Sequence, residues 1–281
     1  MRALIAAALL FATILTASAA SVDELPAGVS LRGDWQEGEV LFGKAPAGSK
    51  LWFDDRALRL TPAGDFVFGI NRDAPDSAEL RVQLPGAAVV SYRHAVARRE
   101  YDIQHIDGLP PKMVSPPPGV YDRIRADQRE VSAARKYEGD STGFLEHFIW
   151  PATGRISGVY GSQRILNGEP KQPHYGVDVA VPIGTEVHAP ADGVVVLANP
   201  DMYFTGGTLM IDHGYGLQSA FLHLSRLLVG KGQQVRQGDV IALSGMTGRA
   251  TGPHLDWRMN WYEARVDAQK LAPPMPAAAT P

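Results

Sequence analysis

Between Val29 and Ala95 short apolar runs alternate with Gly, Pro and Asp, as in "GEVLFGKAPAGSKLWFDDRALRLTPAGDFVFGI". The turn signals "KAPAGS", "FDDR" and "TPAGD" recur too closely for helices, and they predict a small antiparallel β unit. Trp52 and Phe53 fall inside it and read as core aromatics rather than as a surface binding patch. The stretch "GLPPKMVSPPPGV" over 108–120 carries five prolines, which deny backbone donors to a sheet, and it reads as a linker. The next segment, "YDRIRADQREVSAARKYE", has no Gly or Pro and sets Tyr121, Ile124, Val131 and Ala134 on one stripe, predicting a helix. Its charged face is free to be solvated or to dock on the neighbouring domain.

From Phe148 to Leu271 the pattern is densely β. "GTEVHAPADGVVVLA", "GGTLMIDHG", "LQSAFLHLS" and "QQVRQGDVIALSG" are strands separated by turn-forming residues, and the tail "PPMPAAATP" is expected to be disordered. The expected fold is mostly β: an antiparallel C-terminal domain over 148–271, a smaller N-terminal β domain over 20–108, and a Pro-rich linker with its helix over 109–147. Residues 1–19 and 272–281 complete the division.

The first twenty residues, "MRALIAAALLFATILTASAA", join one Arg to an apolar run and an Ala17-Ser18-Ala19 exit. That pattern predicts a signal peptide, an exported chain acting in the periplasm or cell envelope, and no membrane span in the mature protein. The chain has no cysteine, so thiol chemistry and disulfides are excluded. Its formal charge is −3, one unit more negative once Arg2 is removed, which argues against nucleic acid as a partner. With 281 residues, 45% of them hydrophobic, it is long enough for two modest cores.

Three segments of the C-terminal domain offer chemistry. "HYGVDVAVP" places His174, Gly176 and Asp178 on one face, with Gly176 leaving room between the two polar groups. "SAFLHLS" offers His223, which strand alternation puts on the face of Phe221 and Ser225 while Leu222 and Leu224 point into the core. "PHLDWR" offers His254 and Asp256, two apart on one face. A lone histidine on a strand is usually structural. Together, neutral imidazoles and carboxylates suit zinc, with further imidazoles as proton carriers.

"HYGVD", "APADGVVV", "DHGYG", "LHLS" and "GDVIALSGMTGRATGPHLDW" resemble the lysostaphin and LytM type zinc endopeptidases of family M23 over roughly residues 150–270. The resemblance implies a zinc enzyme cutting peptide cross-links of peptidoglycan. It makes His174 and Asp178 metal ligands and His223 and His254 catalytic, and by position it makes Asp256 the third ligand. Here the chain departs from the family, whose final motif is HxH where this one reads His254-Leu255-Asp256. A second anion cancels part of the cation's charge, so a weaker Lewis acid and a shifted pH profile are expected.

Arg258 shares the face of Asp256 and is placed either to hold it or to meet a substrate carboxylate. His213 is structural, or the substitute ligand if Asp256 does not coordinate. Tyr160 either packs or lines the groove, and the loop 199–207 forms one groove wall. Three other readings stand beside the enzyme: a catalytically inactive regulator partnering another cell-wall hydrolase, a biotinyl- or lipoyl-type carrier, and an adhesion protein. The carrier reading lacks a lysine at the expected hairpin tip.

Overall fold

The computed structural model describes residues 24–107, 116–117 and 119–276. The expected signal peptide and most of the Pro-rich linker lie outside the described residues. Seven strands build the N-terminal unit: β1 (Ser30–Arg32), β2 (Val40–Lys44), β3 (Lys50–Phe53), β4 (Arg56–Leu58), β5 (Asp65–Gly69), β6 (Ser77–Gln83) and β7 (Val89–Ala95). They form two antiparallel sheets, β1-β2-β5 and β4-β3-β6-β7. In β6 alternate residues Ala78, Leu80 and Val82 are buried, as a strand with one solvated face requires. Phe53 is buried and Trp52 half-buried against Arg81, so both belong to the packing of this unit.

The helix α1 (Tyr121–Arg135) forms where the apolar stripe placed it. Ile124 and Ala134 are buried, while Tyr121 at its first turn is exposed. Its charged face docks. Arg123 bonds Asp201, Glu130 accepts from Asn199 at 2.8 Å, and Asp127 accepts from the backbone N–H of Tyr203 at 2.8 Å.

Strand β8 (Ile103–Ile106) precedes the helix, and β9 (Arg155–Gly158), β10 (Gln163–Leu166), β11 (Glu169–Pro170), β12 (Gly176–Ala180), β13 (Glu186–His188), β14 (Gly193–Met202) and β15 (Gly206–Asp212) follow it. The chain continues with β16 (Leu217–Leu224), β17 (Arg226–Leu227), β18 (Gln234–Val235), β19 (Val240–Leu243), β20 (Leu255–Trp261) and β21 (Ala264–Val266). The central sheet runs β18-β14-β15-β16-β20-β12-β9, with β21 paired to β20. One of its faces carries Val196, Met210, Ala220 and Leu222, which pack under Val131 and Ala134 of α1. Strand β8 pairs in parallel with β10 and so fastens the N-terminal unit to the hairpin that precedes His174. The segment 199–207 is the tip of the β14–β15 hairpin rather than a free loop.

The two β units share one apolar cluster. Leu41, Phe53 and Phe68 join Val177, Trp257, Trp261 and Val266 in it. At Gly69 a Cβ would stand 2.7 Å from Val266 and 2.9 Å from Trp261, so the glycine permits close approach of the two units. Arg99 adds an ion pair to the buried Asp267 at 2.9 Å. The tail expected to be disordered from its proline content begins ordered: the Pro273 carbonyl accepts from Trp150 at 2.7 Å, and Met275 packs on the core.

Because Trp261 sits at the junction, Trp261→Ala should cost about 3–5 kcal/mol and loosen both units together. Hydrogen exchange should accelerate in β5 and β12 alike; acceleration confined to β12 would mean that the units unfold separately.

A second expectation concerns Asp212, which is fully buried. Burial raises its carboxyl to about 6 despite the hydrogen bond from Gln218. A folded-state pKa above the ordinary carboxylate value of 3.8 means that the native state binds the extra proton, so this contribution to stability is lost as pH rises through about 6. Asp212→Asn should therefore flatten the fall in thermal stability between pH 4 and 7, by roughly 2–3 kcal/mol at pH 7. An unchanged pH slope would contradict the assignment.

Candidate metal centre

Strands β12 and β20 are neighbours, and their register sets Asp178 directly opposite Asp256. His174 stands just before β12. Its Nε2 lies 3.0 Å from Asp178 Oδ1 and 3.5 Å from Asp256 Oδ2, and one ligand atom from each of the three falls within 4.8 Å of the others. Two glycines make the space. A Cβ at Gly158 would stand 2.3 Å from Asp178 Oδ2, and one at Gly176 would stand 2.3 Å from Asp256 Oδ1.

All three imidazoles of the site are oriented alike. Nδ1 of His174 lies 3.2 Å from the Val159 carbonyl, Nδ1 of His223 lies 2.8 Å from that of Thr247, and Nδ1 of His254 lies 2.8 Å from that of Gly252. A carbonyl only accepts, so Nδ1 carries the proton and each neutral ring presents an Nε2 lone pair. His254 Nε2 is 3.7 Å from Asp178 Oδ1, and the His223 and His254 rings are 4.8 Å apart at their centroids.

His223 reaches this position by a route that strand alternation does not give. Phe221 is fully buried in the main core and Leu222 lies opposite Asp256, so regular alternation would turn the imidazole inward with Phe221. Instead His223 adopts the left-handed conformation, φ +63°, which swings it to the site. The conformation costs roughly 1–2 kcal/mol for a residue with a Cβ. Hydrogen bonds from His223 N to Thr205 O and from Nδ1 to Thr247 O hold it. The expectation that His223 shares a face with Phe221 is thereby corrected.

The donor set fits a metal ion. His174 Nε2 and Asp178 Oδ1 are buried 3.0 Å apart, and with the ring neutral neither has a hydrogen-bond partner. Buried polar atoms need a partner, and a cation satisfies both at once. One imidazole nitrogen and two carboxylate oxygens are ligands that zinc accepts. Residues 172–268, which span the whole group, match the model of peptidase family M23.

The chain has an M23 domain. Over 103 residues it is 47% identical to the peptidoglycan DD-endopeptidase ShyA of Vibrio cholerae, covering 37% of this chain and 24% of that protein. Over 108 residues it is 42% identical to the DD-carboxypeptidase/endopeptidase Mpg of Neisseria meningitidis, covering 38% of this chain and 24% of that protein. The aligned segment thus spans about a quarter of these relatives. A Pseudomonas aeruginosa structure whose description names peptidase M23 aligns with a TM-score of 0.65 and 29% identity, over 84% of this chain and 94% of that one. This likeness extends well beyond the M23 domain.

Within the M23 domain, Asp256 is held by Arg258. Nε lies 3.0 Å from both carboxylate oxygens and Nη2 lies 2.6 Å from Oδ2. Burial opposes the charge of Asp256, but Arg258 and His174 outweigh it and keep the carboxyl far below the usual range. Burial likewise opposes a charged His174, yet Asp256 and Asp178 raise it to about 10, so metal binding would displace a proton there. The guanidinium changes the expectation for the departure at position 256. Replacing a neutral imidazole by a carboxylate adds one negative charge, and Arg258, bonded to that carboxylate, adds one positive. The local sum returns to that of a His-Asp-His site, and the expected weakening of the cation is offset.

His213 is not available as a substitute ligand. It is fully buried, with Nδ1 2.8 Å from Asp192 O and Nε2 2.8 Å from Ser219 Oγ, and burial lowers it to about 4. Tyr160 packs: it is buried and donates to the Arg265 carbonyl at 2.7 Å. Tyr175, Arg265 and Arg135 also lie beside the M23 site, and sequence reasoning passed over them. The alternation of side chains through the β20–β21 hairpin was the signal for Arg265.

Arg258→Gln should weaken zinc binding by roughly 10–100-fold, as loss of a ligand's hydrogen-bond partner does. In an Asp256→His background the same change should have little effect, because the charge it balances is gone. Asp256→Ala should lose the metal. Competition with a chromogenic chelator measures all five proteins, the parent and four variants; zinc held by Asp256→Ala as tightly as by the parent would remove Asp256 from the ligand set.

Proposed function

We propose that this protein is an exported zinc metallopeptidase that hydrolyses peptide cross-links of bacterial peptidoglycan. The observation that carries the reading is the convergence of His174, Asp178 and Asp256 on one point, with the Nε2 atoms of His223 and His254 turned toward the same space. The relatives, named as peptidoglycan DD-endopeptidase and DD-carboxypeptidase/endopeptidase, point to the substrate class. Export follows from the leader sequence, and among the described residues no helix is long and apolar enough to cross a membrane.

Zinc, held by His174, Asp178 and Asp256, would supply Lewis acidity and an acidified water. The protein's own part is proton management and positioning. Burial lowers the basicity of His223, so its ring is neutral near pH 7, with Nε2 able to take a proton from water and return it to the departing amine. His254, fixed through Nδ1 on Gly252, accepts a hydrogen bond from the water at Nε2 and so orients it. The β14–β15 hairpin tip forms one wall of the groove, since Thr205 bonds the His223 backbone.

Purified protein incubated with peptidoglycan sacculi should release fragments that mass spectrometry identifies as products of peptide-bond cleavage. His174→Ala should lose both metal and hydrolysis. His223→Ala should keep the metal and lower turnover by roughly 10²–10⁴-fold. Intact sacculi after incubation with the zinc-loaded parent would overturn the proposal, and metal loss in His223→Ala would exchange its role for that of a ligand.

A further inference from the structure

The face of the central sheet that carries Asp256 continues away from the metal ligands into a group of arginines. Arg258 follows Asp256 by two positions and lies opposite Gly176 on β12 and Ala220 on β16. Asn260, two positions further along the same face, is paired with Arg265 of β21, so Arg258 and Arg265 are diagonal neighbours on that face. Asn260 is also opposite Gln218, whose Nε2 donates to the Ala134 carbonyl at 3.0 Å. That bond sets the C-terminal end of α1, and with it Arg135, above the same patch.

Tyr175 closes the patch toward the metal ligands. Its ring centroid is 5.1 Å from the Arg265 guanidinium, and it adjoins His174 in the chain.

Charge is not balanced here. Arg135 pairs with the exposed Glu263 at 3.3 Å, and Arg258 is committed to Asp256 through Nε and Nη2, leaving Nη1. Among the described residues Arg265 has no carboxylate within ion-pair distance, although it is only half-exposed. Its burial and the two neighbouring arginines push it down to about 9, which is the electrostatic signature of a site that gains from an anion. A guanidinium fork matches a carboxylate in two parallel hydrogen bonds, and Tyr175 backs the fork with its ring.

We propose that Arg265, with Arg258, Arg135 and Tyr175, forms a subsite for a carboxylate of the substrate peptide, beside the scissile bond. The inference rests on the peptidase reading and narrows it. Cross-links made of residues that carry a free carboxylate are bound, whereas glycine bridges and amidated peptides leave the arginines without a partner. The same cluster explains why three like charges are kept together although burial costs each of them hydration.

The test uses two cross-linked stem peptides that differ only in a free carboxylate or its amide on the residue donating the scissile nitrogen. Equilibrium binding to the full chain, treated with a chelator so that no turnover occurs, should show about a tenfold preference for the acid, as one charge-assisted hydrogen-bonded pair supplies. Arg265→Gln should reduce the acid-to-amide ratio to about one, and Arg265→Lys, which keeps the charge, should restore part of it. A merely structural arginine would not couple the ratio to charge, and thermal melting of each variant checks its fold. Equal affinity of the parent for the two peptides, or a preference that survives in Arg265→Gln, overturns the subsite. Hydrolysis by the zinc-loaded parent is scored separately: a binding preference with neither peptide cut keeps the subsite and defeats the peptidase reading.

Discussion

Two carboxylates face each other across adjacent strands of a buried sheet, and much of the site's chemistry follows from that juxtaposition. Asp256 is 2% exposed and lies in register with Asp178. Like charges about 4 Å apart repel by roughly 4 kcal/mol at an effective dielectric near 20, so such a pair persists only with cations at hand. His174 touches both carboxylates, Arg258 grips one, and a metal ion would answer the buried atoms that remain without partners. The glycines at 158 and 176 are part of the same solution, since any side chain there would occupy the space of a carboxylate oxygen.

The arrangement shows how one substitution in a motif is accommodated two residues later. An aspartate at position 256 shifts the local charge, and an arginine on the same face of the same strand shifts it back while fixing the carboxylate in a bidentate grip. Positive charge then extends along that face to Arg265 and Arg135, so the arginine that balances Asp256 also begins the proposed carboxylate subsite.

The scaffold keeps these groups rigid by joining what the chain's composition divides. Phe53 of the N-terminal unit lies 6.0 Å from the Trp261 ring at the end of β20, the strand that carries Asp256, and β8 pairs with the hairpin ahead of His174. The helix α1 covers the far part of the site face. Each contact restrains a segment on which a residue of the candidate site or one of its charged neighbours stands.

Much of this was legible in the linear pattern. Turn signals and period-two alternation marked the β units, the Gly- and Pro-free stretch marked α1, and local spacing singled out His174, Asp178, His254 and Asp256 as a candidate site, because these depend on neighbours a few residues apart. Asp256 and Arg258 were visibly on one face, but whether the arginine met the ligand or the solvent depended on space opened by Gly176 on another strand. The face shared by His223 and Phe221 was misjudged because a single left-handed residue breaks alternation, and the hydrogen bonds that hold it come from Thr205 and Thr247, distant in the chain. The joined core, the docked helix and the meeting of Arg135, Arg258 and Arg265 arise from pairings between distant segments, which local periodicity does not encode; only the tertiary structure, by choosing strand order and register, decided them.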